Sequence, residues 1–269
     1  MAKRFLGTVL GAVLTLTALA SPATAAVQAV DFTGIVALSN CSGSVVKTAT
    51  STPSDPALVM SNGHCVKLMA AGEVIVNQPS TRTFSLLDST GRRTLATLRA
   101  TKIAYATMTD TDVSFYQLSQ TYQQIANLGS RALELSSTHP VVGQDIRVVS
   151  GYWKRIYSCK VDGFAYRLRE GSWTWKDSVR YTSACNTIGG TSGSPVLDNA
   201  SGKVVAVNNT GNESGGRCTT NNPCEVDQAG TVTVRQGINY AQQTYNAVPC
   251  IGAGSKITLT NPGCALPRP

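Results

Sequence analysis

The sequence predicts an all-β fold of two β-barrels with a short C-terminal helix. From Phe32 onward, short segments rich in β-branched and aromatic residues alternate with clusters of Gly, Pro, Asn, Asp and Ser, and helical periodicity is scarce. These segments fall into two sets of similar size, separated by residues 120–135, where we expect a short helix or a connector. Two sets of short strands favour two similar barrels. The side-chain spacing over residues 237–248 predicts the terminal helix.

Each predicted strand is a short β-prone run that turn residues bound on both sides. The strands of the first set are expected at residues 35–38, 44–47, 57–60, 73–77, 83–87, 94–106 and 113–118. Within this set, Asp88-Ser89-Thr90-Gly91 predicts a hairpin turn. The strands of the second set are expected at residues 144–149, 153–160, 163–168, 173–182, 194–197, 203–208 and 232–238.

The N-terminus has the three parts of a secretory signal peptide. A basic start is followed by an apolar run over residues 5–20 and by a small-x-small site, which predicts cleavage after Ala25. No later stretch is apolar enough to cross a bilayer, so we expect a secreted, extracellular protein without a membrane span. The predicted division is a signal peptide at 1–25, a short propeptide or N-terminal segment at 26–31, the first barrel at 32–125, a connector at 126–137, the second barrel with its helix at 138–248, and a disulfide-closed tail at 249–269.

The chain is modestly basic, and its charges are dispersed. The formal net charge is +8, and removal of the two cations Lys3 and Arg4 with the signal peptide lowers it to +6. Charge of this size is usually only a solubility property. Because no Lys/Arg run and no interleaving of basic with aromatic residues occurs, we expect no nucleic-acid partner.

The eight cysteines are even in number, and all follow the predicted signal peptide. An oxidising compartment favours disulfides over free thiols, although eight cysteines allow 105 pairings. We expect the sequential pairs, each of which closes a local loop: Cys41–Cys65, Cys159–Cys185, Cys218–Cys224 and Cys250–Cys264. The sequence has no Cys-x-x-Cys pair of the kind that binds zinc, so we expect no metal, and we expect no cofactor.

A glycine-rich turn around Ser192 is the first candidate for chemistry. In Gly189-Gly190-Thr191-Ser192-Gly193-Ser194-Pro195, the glycines allow a tight turn that exposes the serine hydroxyl and can aim backbone N–H groups at one point. A hydroxyl is a poor nucleophile at neutral pH, so a catalytic serine needs a base, and the base needs a group that orients it. His64 and Asp112 are the upstream candidates. Because both histidines of the chain precede Ser192, the Ser-Asp-His order of α/β-hydrolases is excluded.

Asp110 is the near rival of Asp112 for the orienting role. We favour Asp112 because the alternating apolar residues of a strand follow it directly, which leaves Asp110 in a turn. The second histidine, His139, precedes Pro140 in a connector and is expected at the surface.

Five motifs follow one another in order along residues 32–248. They are Cys41-Ser42-Gly43-Ser44-Val45-Val46, His64-Cys65, Asp112-Val113-Ser114, the stretch from Val142-Gly143-Gln144 to Gly151-Tyr152, and Gly190-Thr191-Ser192-Gly193-Ser194-Pro195. In this order the chain resembles the chymotrypsin-like (trypsin-type) serine peptidases, specifically their bacterial secreted branch. The resemblance implies two six-stranded antiparallel β-barrels with the active site in the cleft between them. It also implies that His64 is the general base for Ser192, that Asp112 orients His64, and that the N–H groups of Gly190 and Ser192 form the oxyanion hole.

Spacing from Ser192 predicts the residues of the primary substrate pocket. They are Asn186, Thr187 and Ile188 on one wall and Asn208, Asn209 and Thr210 on the other. None is a carboxylate, so this pocket has no obvious partner for Lys or Arg, and no histidine lies near Asn208 to match the glutamate-specific bacterial branch. The expected preference is for a small or neutral polar side chain.

Thr191 stands where trypsin-type zymogens have an aspartate that pairs with a newly freed N-terminal amine. We therefore expect no activation switch of that kind. The expected function is that of a secreted, monomeric serine endopeptidase that acts on protein or peptide substrates through an acyl-enzyme intermediate. The alternative is a catalytically silent secreted protein of the same fold that acts as a binding module.

Overall fold

The computed structural model describes Met1 and residues 31–269. The predicted signal peptide, apart from Met1, and residues 26–30 of the predicted N-terminal segment lie outside the described residues. No helix in the described part of the chain is long and apolar enough to cross a membrane.

The first sheet closes into a six-stranded barrel. Its strands are β1 (Ile35–Ala37), β2 (Ser42–Lys47), β3 (Pro56–Ser61), β4 (Val74–Pro79), β5 (Thr83–Leu87), β6 (Thr94–Thr107), β7 (Val113–Thr121) and β8 (Leu133–Glu134). The ring runs β1-β5-β6-β7-β3-β2 and closes through the pairing of β1 with β2, while β4 pairs with β6 outside the ring. All of these pairings are antiparallel except that of the short β8, which lies parallel to β2.

The second sheet forms another ring of six strands. Its strands are β9 (Asp145–Ser150), β10 (Arg155–Glu170), β11 (Trp173–Tyr181), β12 (Pro195–Asp198), β13 (Val204–Gly211), β14 (Cys224–Val226), β15 (Val232–Val234) and β16 (Asn239–Gln243). The ring runs β11-β16-β13-β12-β9-β10 and closes through the pairing of β10 with β11. The hairpin of β14 and β15 continues the sheet from the far end of β10. The prediction of an all-β, two-barrel fold is confirmed.

Two predicted strands, 153–160 and 163–168, are one long strand, β10. Buried and exposed residues alternate along most of it, as expected for a strand with one face on a core. The predicted break at residues 161–162 is a register shift against β11 between Val161 and Gly163. A bulge of this kind bends a strand without ending it. The residues that predicted a break therefore shift the register locally but do not divide β10 into two strands.

The helical predictions have mixed outcomes. Helix α1 (Tyr122–Asn127) lies in the predicted connector region, and Thr121 and Gln124 form a capping box at its N-terminus. The predicted terminal helix over 237–248 is wrong in its first half: residues 239–243 form β16, and only Tyr245–Cys250 is a short 3₁₀-helix. All five residues of β16 are buried, and the strand fills the gap between β11 and β13, so barrel closure overrides the local spacing.

The eight cysteines form the four sequential disulfides: Cys41–Cys65, Cys159–Cys185, Cys218–Cys224 and Cys250–Cys264. Such a set is typical of proteins that mature in an oxidising compartment. The last disulfide holds the tail on the body of the protein. There Ile251 and Leu266 join a core cluster with residues of both barrels, including Leu58 and Val204.

Candidate active site

His64 and Asp112 meet in the first barrel where the end of strand β3 lies beside the start of strand β7. Because β3 pairs antiparallel with β7, the residues after Ser61 lie beside those before Val113. The Nδ1 atom of His64 is 2.7 Å from Oδ2 of Asp112, and the backbone N–H of His64 donates to Oδ1 at 3.1 Å. The Asp112 side chain is fully buried, whereas that of His64 is 24% exposed. Two contacts to one carboxylate thus fix the imidazole and leave Nε2 free of protein partners among the described residues.

The electrostatic surroundings of His64 favour its charged form. Burial alone would lower the pKa of His64, but the charge of Asp112, the hydrogen bond that the imidazole donates to it and the charge of Glu170 outweigh burial. The pKa of His64 is therefore raised above its ordinary value of 6.5. A neutral imidazole whose protonated form is stabilised in this way is suited to accept a proton from a neighbouring hydroxyl.

Ser192 lies in a turn just before β12 that the first barrel helps to hold. The backbone N–H of Ser42 donates to the Ser192 carbonyl at 2.8 Å, and that of Gly193 donates to the Asn208 carbonyl at 3.0 Å. Gly193 has a φ of +80°, and a Cβ there would lie 2.1 Å from the carbonyl oxygen of Ser42, so only glycine fits. The Ser192 hydroxyl donates to the Asn209 carbonyl at 3.2 Å rather than to His64.

The loop before Ser192 presents two backbone N–H groups without protein acceptors. Among the hydrogen bonds of the described residues, none has the N–H of Gly190 or of Ser192 as its donor. The Trp153 indole N–H donates to the Gly189 carbonyl at 2.7 Å, and the Ser194 hydroxyl donates to the Thr191 carbonyl at 2.6 Å. Because the peptide unit is planar, a carbonyl held on one side directs the adjoining N–H to the other. Two such donors can stabilise an oxyanion.

Thr191 is held by neutral hydrogen bonds. Its side chain is almost fully buried; its hydroxyl donates to the Ile188 carbonyl at 2.5 Å and accepts from the Asn208 amide at 3.1 Å. These contacts order the residue before Ser192 without an ion pair.

Five of the six predicted pocket residues line one cavity together with His64, Asp112 and Ser192; they are Thr187, Ile188, Asn208, Asn209 and Thr210. The Thr187 hydroxyl donates to Asn239, which also lines the cavity. Asn186 is exposed and does not contribute to the lining, because burial alternates from Cys185 to Thr187 and Asn186 falls on the outer side. Within the part of the chain that the structure describes, the buried side chain of Asn209 has no hydrogen-bond partner on either its oxygen or its nitrogen.

Sequence reasoning missed several residues of this cavity, most notably Glu170, Trp173 and Trp175 of the β10–β11 hairpin. The indole N–H groups of Trp173 and Trp175 donate to the carbonyls of Met69 and Met108, which ties the hairpin to the first barrel. A glutamate before a Gly-Ser turn has the pattern of an ordinary surface hairpin, so the sequence held no signal for its position in the cleft.

The remaining candidates fall outside the cluster. Asp110 forms an exposed ion pair with Lys176, and His139 is exposed beside Asp177. The one metal-like grouping in the described part of the chain is Cys41, Cys65 and His64. Its two cysteines are joined in a disulfide, so they offer no thiolate ligand.

Two closed barrels with a histidine–aspartate pair from one and a serine turn from the other define the chymotrypsin-like class of serine peptidases. The family model described as a trypsin-like peptidase domain matches residues 41–207, more than half of the chain. The protein belongs to this trypsin-like peptidase family.

Solved structures of similar fold include the MamO protease domain from Magnetospirillum magneticum, at 14% identity and a TM-score of 0.47 over 78% of this chain and 92% of that one. A Glu endopeptidase in complex with MPD matches at 16% identity and a TM-score of 0.46 over 79% and 85% of the two chains. A Nocardiopsis protease matches at 13% identity and a TM-score of 0.45 over 80% and 93%. No curated protein sequence matches the chain.

Proposed function

We propose that the protein is a secreted serine endopeptidase that hydrolyses peptide bonds through an acyl-enzyme intermediate. The observation that carries the proposal is the 2.7 Å contact between His64 and Asp112, in the same cavity as Ser192. The unpaired N–H groups of Gly190 and Ser192 supply the complementary electrostatic element.

The proposed reaction has two stages, formation and hydrolysis of the acyl-enzyme, and each of these groups acts once in each stage. The Ser192 hydroxyl turns from the Asn209 carbonyl towards His64, whose Nε2 takes the proton as Oγ attacks the peptide carbonyl carbon. The oxyanion accepts hydrogen bonds from the N–H groups of Gly190 and Ser192, each worth about 3 kcal/mol in the transition state. His64 then protonates the leaving amine, and a water molecule releases the acyl group by the same steps.

One observation favours the second candidate, a catalytically silent binding module of the same fold. The Ser192 hydroxyl is hydrogen-bonded to Asn209 and not to His64. A serine held permanently in that orientation would have no base, and the cavity would then act only as a binding surface.

Labelling with a fluorophosphonate probe separates the two candidates. We expect the purified protein to be labelled, and we expect Ser192→Ala and His64→Ala to abolish the labelling. His139→Ala and Ser137→Ala are matched controls, because both residues are exposed and lie outside the cavity. Absence of labelling in the folded wild-type protein would favour the binding module, and its persistence in Ser192→Ala would show that Ser192 is not the nucleophile.

The proposal of secretion rests on the signal-like N-terminus and the four disulfides. Expression of the full chain should release a protein into the medium whose first residue is Ala26. Retention of an uncleaved chain in the cells would contradict this part of the proposal.

Thr191 supports maturation without a new N-terminal ion pair, because neutral groups already hold it. Two residues added before Ala26 of the mature protein should therefore leave kcat/KM within about twofold, since no buried charge pair is disturbed. Collapse of activity on this extension would show that the free N-terminus is required.

A further inference from the structure

We propose that Glu170 binds a cationic Lys or Arg side chain of the substrate in this cleft. The inference rests on the proposed peptidase function and assigns its substrate class. It departs from the neutral preference that the predicted pocket residues alone indicate, because the carboxylate comes from a different hairpin.

The Glu170 carboxylate is held by two hydrogen bonds and has acceptor positions left for a further donor. It is the last residue of β10 and is only 6% exposed, yet it lines the cavity that contains His64 and Ser192. Its Oε2 accepts the Thr210 hydroxyl at 2.6 Å, and its Oε1 accepts the backbone N–H of Asn221 at 2.8 Å. A carboxylate has about four acceptor positions, so a further donor can bind without displacing either contact.

No Lys or Arg in the described part of the chain forms an ion pair with Glu170. Glu225, the other well-buried glutamate of the second barrel, has two such partners, Arg180 and Arg235, at 2.9 and 3.0 Å. Buried carboxylates normally require a cation because desolvation disfavours their charged form. The Glu170 carboxylate therefore lacks a cationic partner among the described residues, and a bound ligand would supply one.

The surroundings of Glu170 also favour a cation. Burial raises the pKa of the Glu170 carboxyl, against the opposing effect of its two hydrogen bonds, and a bound cation would stabilise the ionised form. Asp112 and Glu213 line the same cavity, and His64 is the only basic residue among the described residues that line it. Trp173 offers an aromatic surface for the apolar stem of a long cationic side chain.

A second observation points to a ligand in this cavity. The side chain of Asn209 is 4% exposed, and neither its amide nitrogen nor its oxygen has a partner in the described residues. Buried polar groups are normally satisfied, so substrate atoms or water must complete its hydrogen bonds.

The test compares peptide substrates that differ only in Lys or norleucine, scanned over the four residues before the cleaved bond. At one position, wild-type kcat/KM should be at least about tenfold higher for Lys, as expected for a charge-assisted hydrogen bond. At a pH where His64 is neutral in both proteins, Glu170→Gln, which keeps the shape and an acceptor oxygen, should lose that preference and retain activity on the norleucine substrate. Glu134→Gln is the matched control, because Glu134 is a glutamate outside this cavity, and it should keep the preference for Lys.

Two results would overturn the inference. One is a wild-type enzyme that does not prefer Lys at any position, a result that does not depend on the folding of any variant. The other is a Glu170→Gln variant that loses activity equally on both substrates, since that would assign Glu170 only to holding the loop at Asn221.

Calorimetry on the Ser192→Ala protein separates this inference from the proposed function. The Lys peptide should bind at least about tenfold more tightly than the norleucine peptide, and the additional Glu170→Gln substitution should remove the difference. Cation-dependent binding without fluorophosphonate labelling would refute the peptidase and retain the role of Glu170. Labelling with equal binding of both peptides would do the reverse.

Discussion

The two halves of the proposed site are organised by different means. In the first barrel, the register of β3 against β7 brings His64 and Asp112 together, and their contact at 2.7 Å is already formed. In the second barrel, the turn around Ser192 precedes β12, and its shape depends on groups from elsewhere, notably Ser42 and Trp153.

This difference decides where each half is vulnerable. Strand pairing is distributed over many backbone hydrogen bonds, so the first half should fail mainly when His64 or Asp112 itself is replaced. The serine turn depends on a few close contacts, so substitutions of residues that never touch substrate should also impair it.

The largest expected effect comes from Asp112→Asn. The amide cannot hold the imidazole in the required tautomer, and in chymotrypsin-like triads this change lowers kcat by about 10⁴-fold. Steady-state kinetics on a peptide ester would measure it. Asp110→Asn is the matched control, because Asp110 is exposed and paired with Lys176, and its kcat should stay near the wild-type value. A large fall in kcat for Asp110→Asn would mean that Asp110, and not Asp112, orients His64.

The next largest effect is expected from Gly193→Ala, which disturbs the packing of the turn around Ser192. The added Cβ would meet the Ser42 carbonyl at 2.1 Å, and φ is +80°. We expect a loss of about 1–3 kcal/mol in the free energy of unfolding and at least about 100-fold in kcat, because the oxyanion donors shift.

Gly202→Ala separates packing from backbone strain. Gly202 has a φ of +69°, but a Cβ there meets no atom within 4 Å. It should therefore lose about 1 kcal/mol of stability through strain alone and keep its kcat. Similar kcat values in the two variants would show that the turn does not depend on the Ser42 contact.

The sequence analysis succeeds where local patterns dominate and fails where distant pairing decides. Alternation after Asp112 predicts β7 and places Asp112 rather than Asp110 at its start, next to β3. The residues of β16 show helical spacing, yet they form a strand because two neighbouring strands need a partner between them.

Glu170 is the clearest case of what local pattern cannot reveal. It reaches the cavity because β10 pairs with β14 and because Asn221, in the Cys218–Cys224 loop, binds its carboxylate. Both relations join residues about 50 positions apart in the chain, as the separation of 51 between Glu170 and Asn221 illustrates. Hairpin composition at Glu170-Gly171-Ser172 carries no information about them.

A smaller effect is expected from Trp153→Phe, which acts on the loop before Ser192 through one hydrogen bond. The phenyl ring keeps an aromatic surface but loses the 2.7 Å hydrogen bond that holds the Gly189 carbonyl. Loss of about 1 kcal/mol of positioning energy should lower kcat about fivefold with KM unchanged. Tyr152→Phe, which removes a hydroxyl that makes no hydrogen bond among the described residues, is the control. A rise in KM with kcat unchanged would assign Trp153 to substrate binding instead.

The smallest expected effect links the two halves through charge. His64 must be neutral to accept a proton, so kcat/KM should rise with pH along a limb whose inflection lies above 6.5. Because the charge of Glu170 contributes to raising the pKa of His64, Glu170→Gln should move this inflection to lower pH. The pH profile of kcat/KM on the norleucine substrate measures the shift without interference from cation binding. An unchanged inflection would mean that Glu170 is uncharged while His64 titrates. The Glu170 carboxylate would then not contribute to the raised pKa of His64.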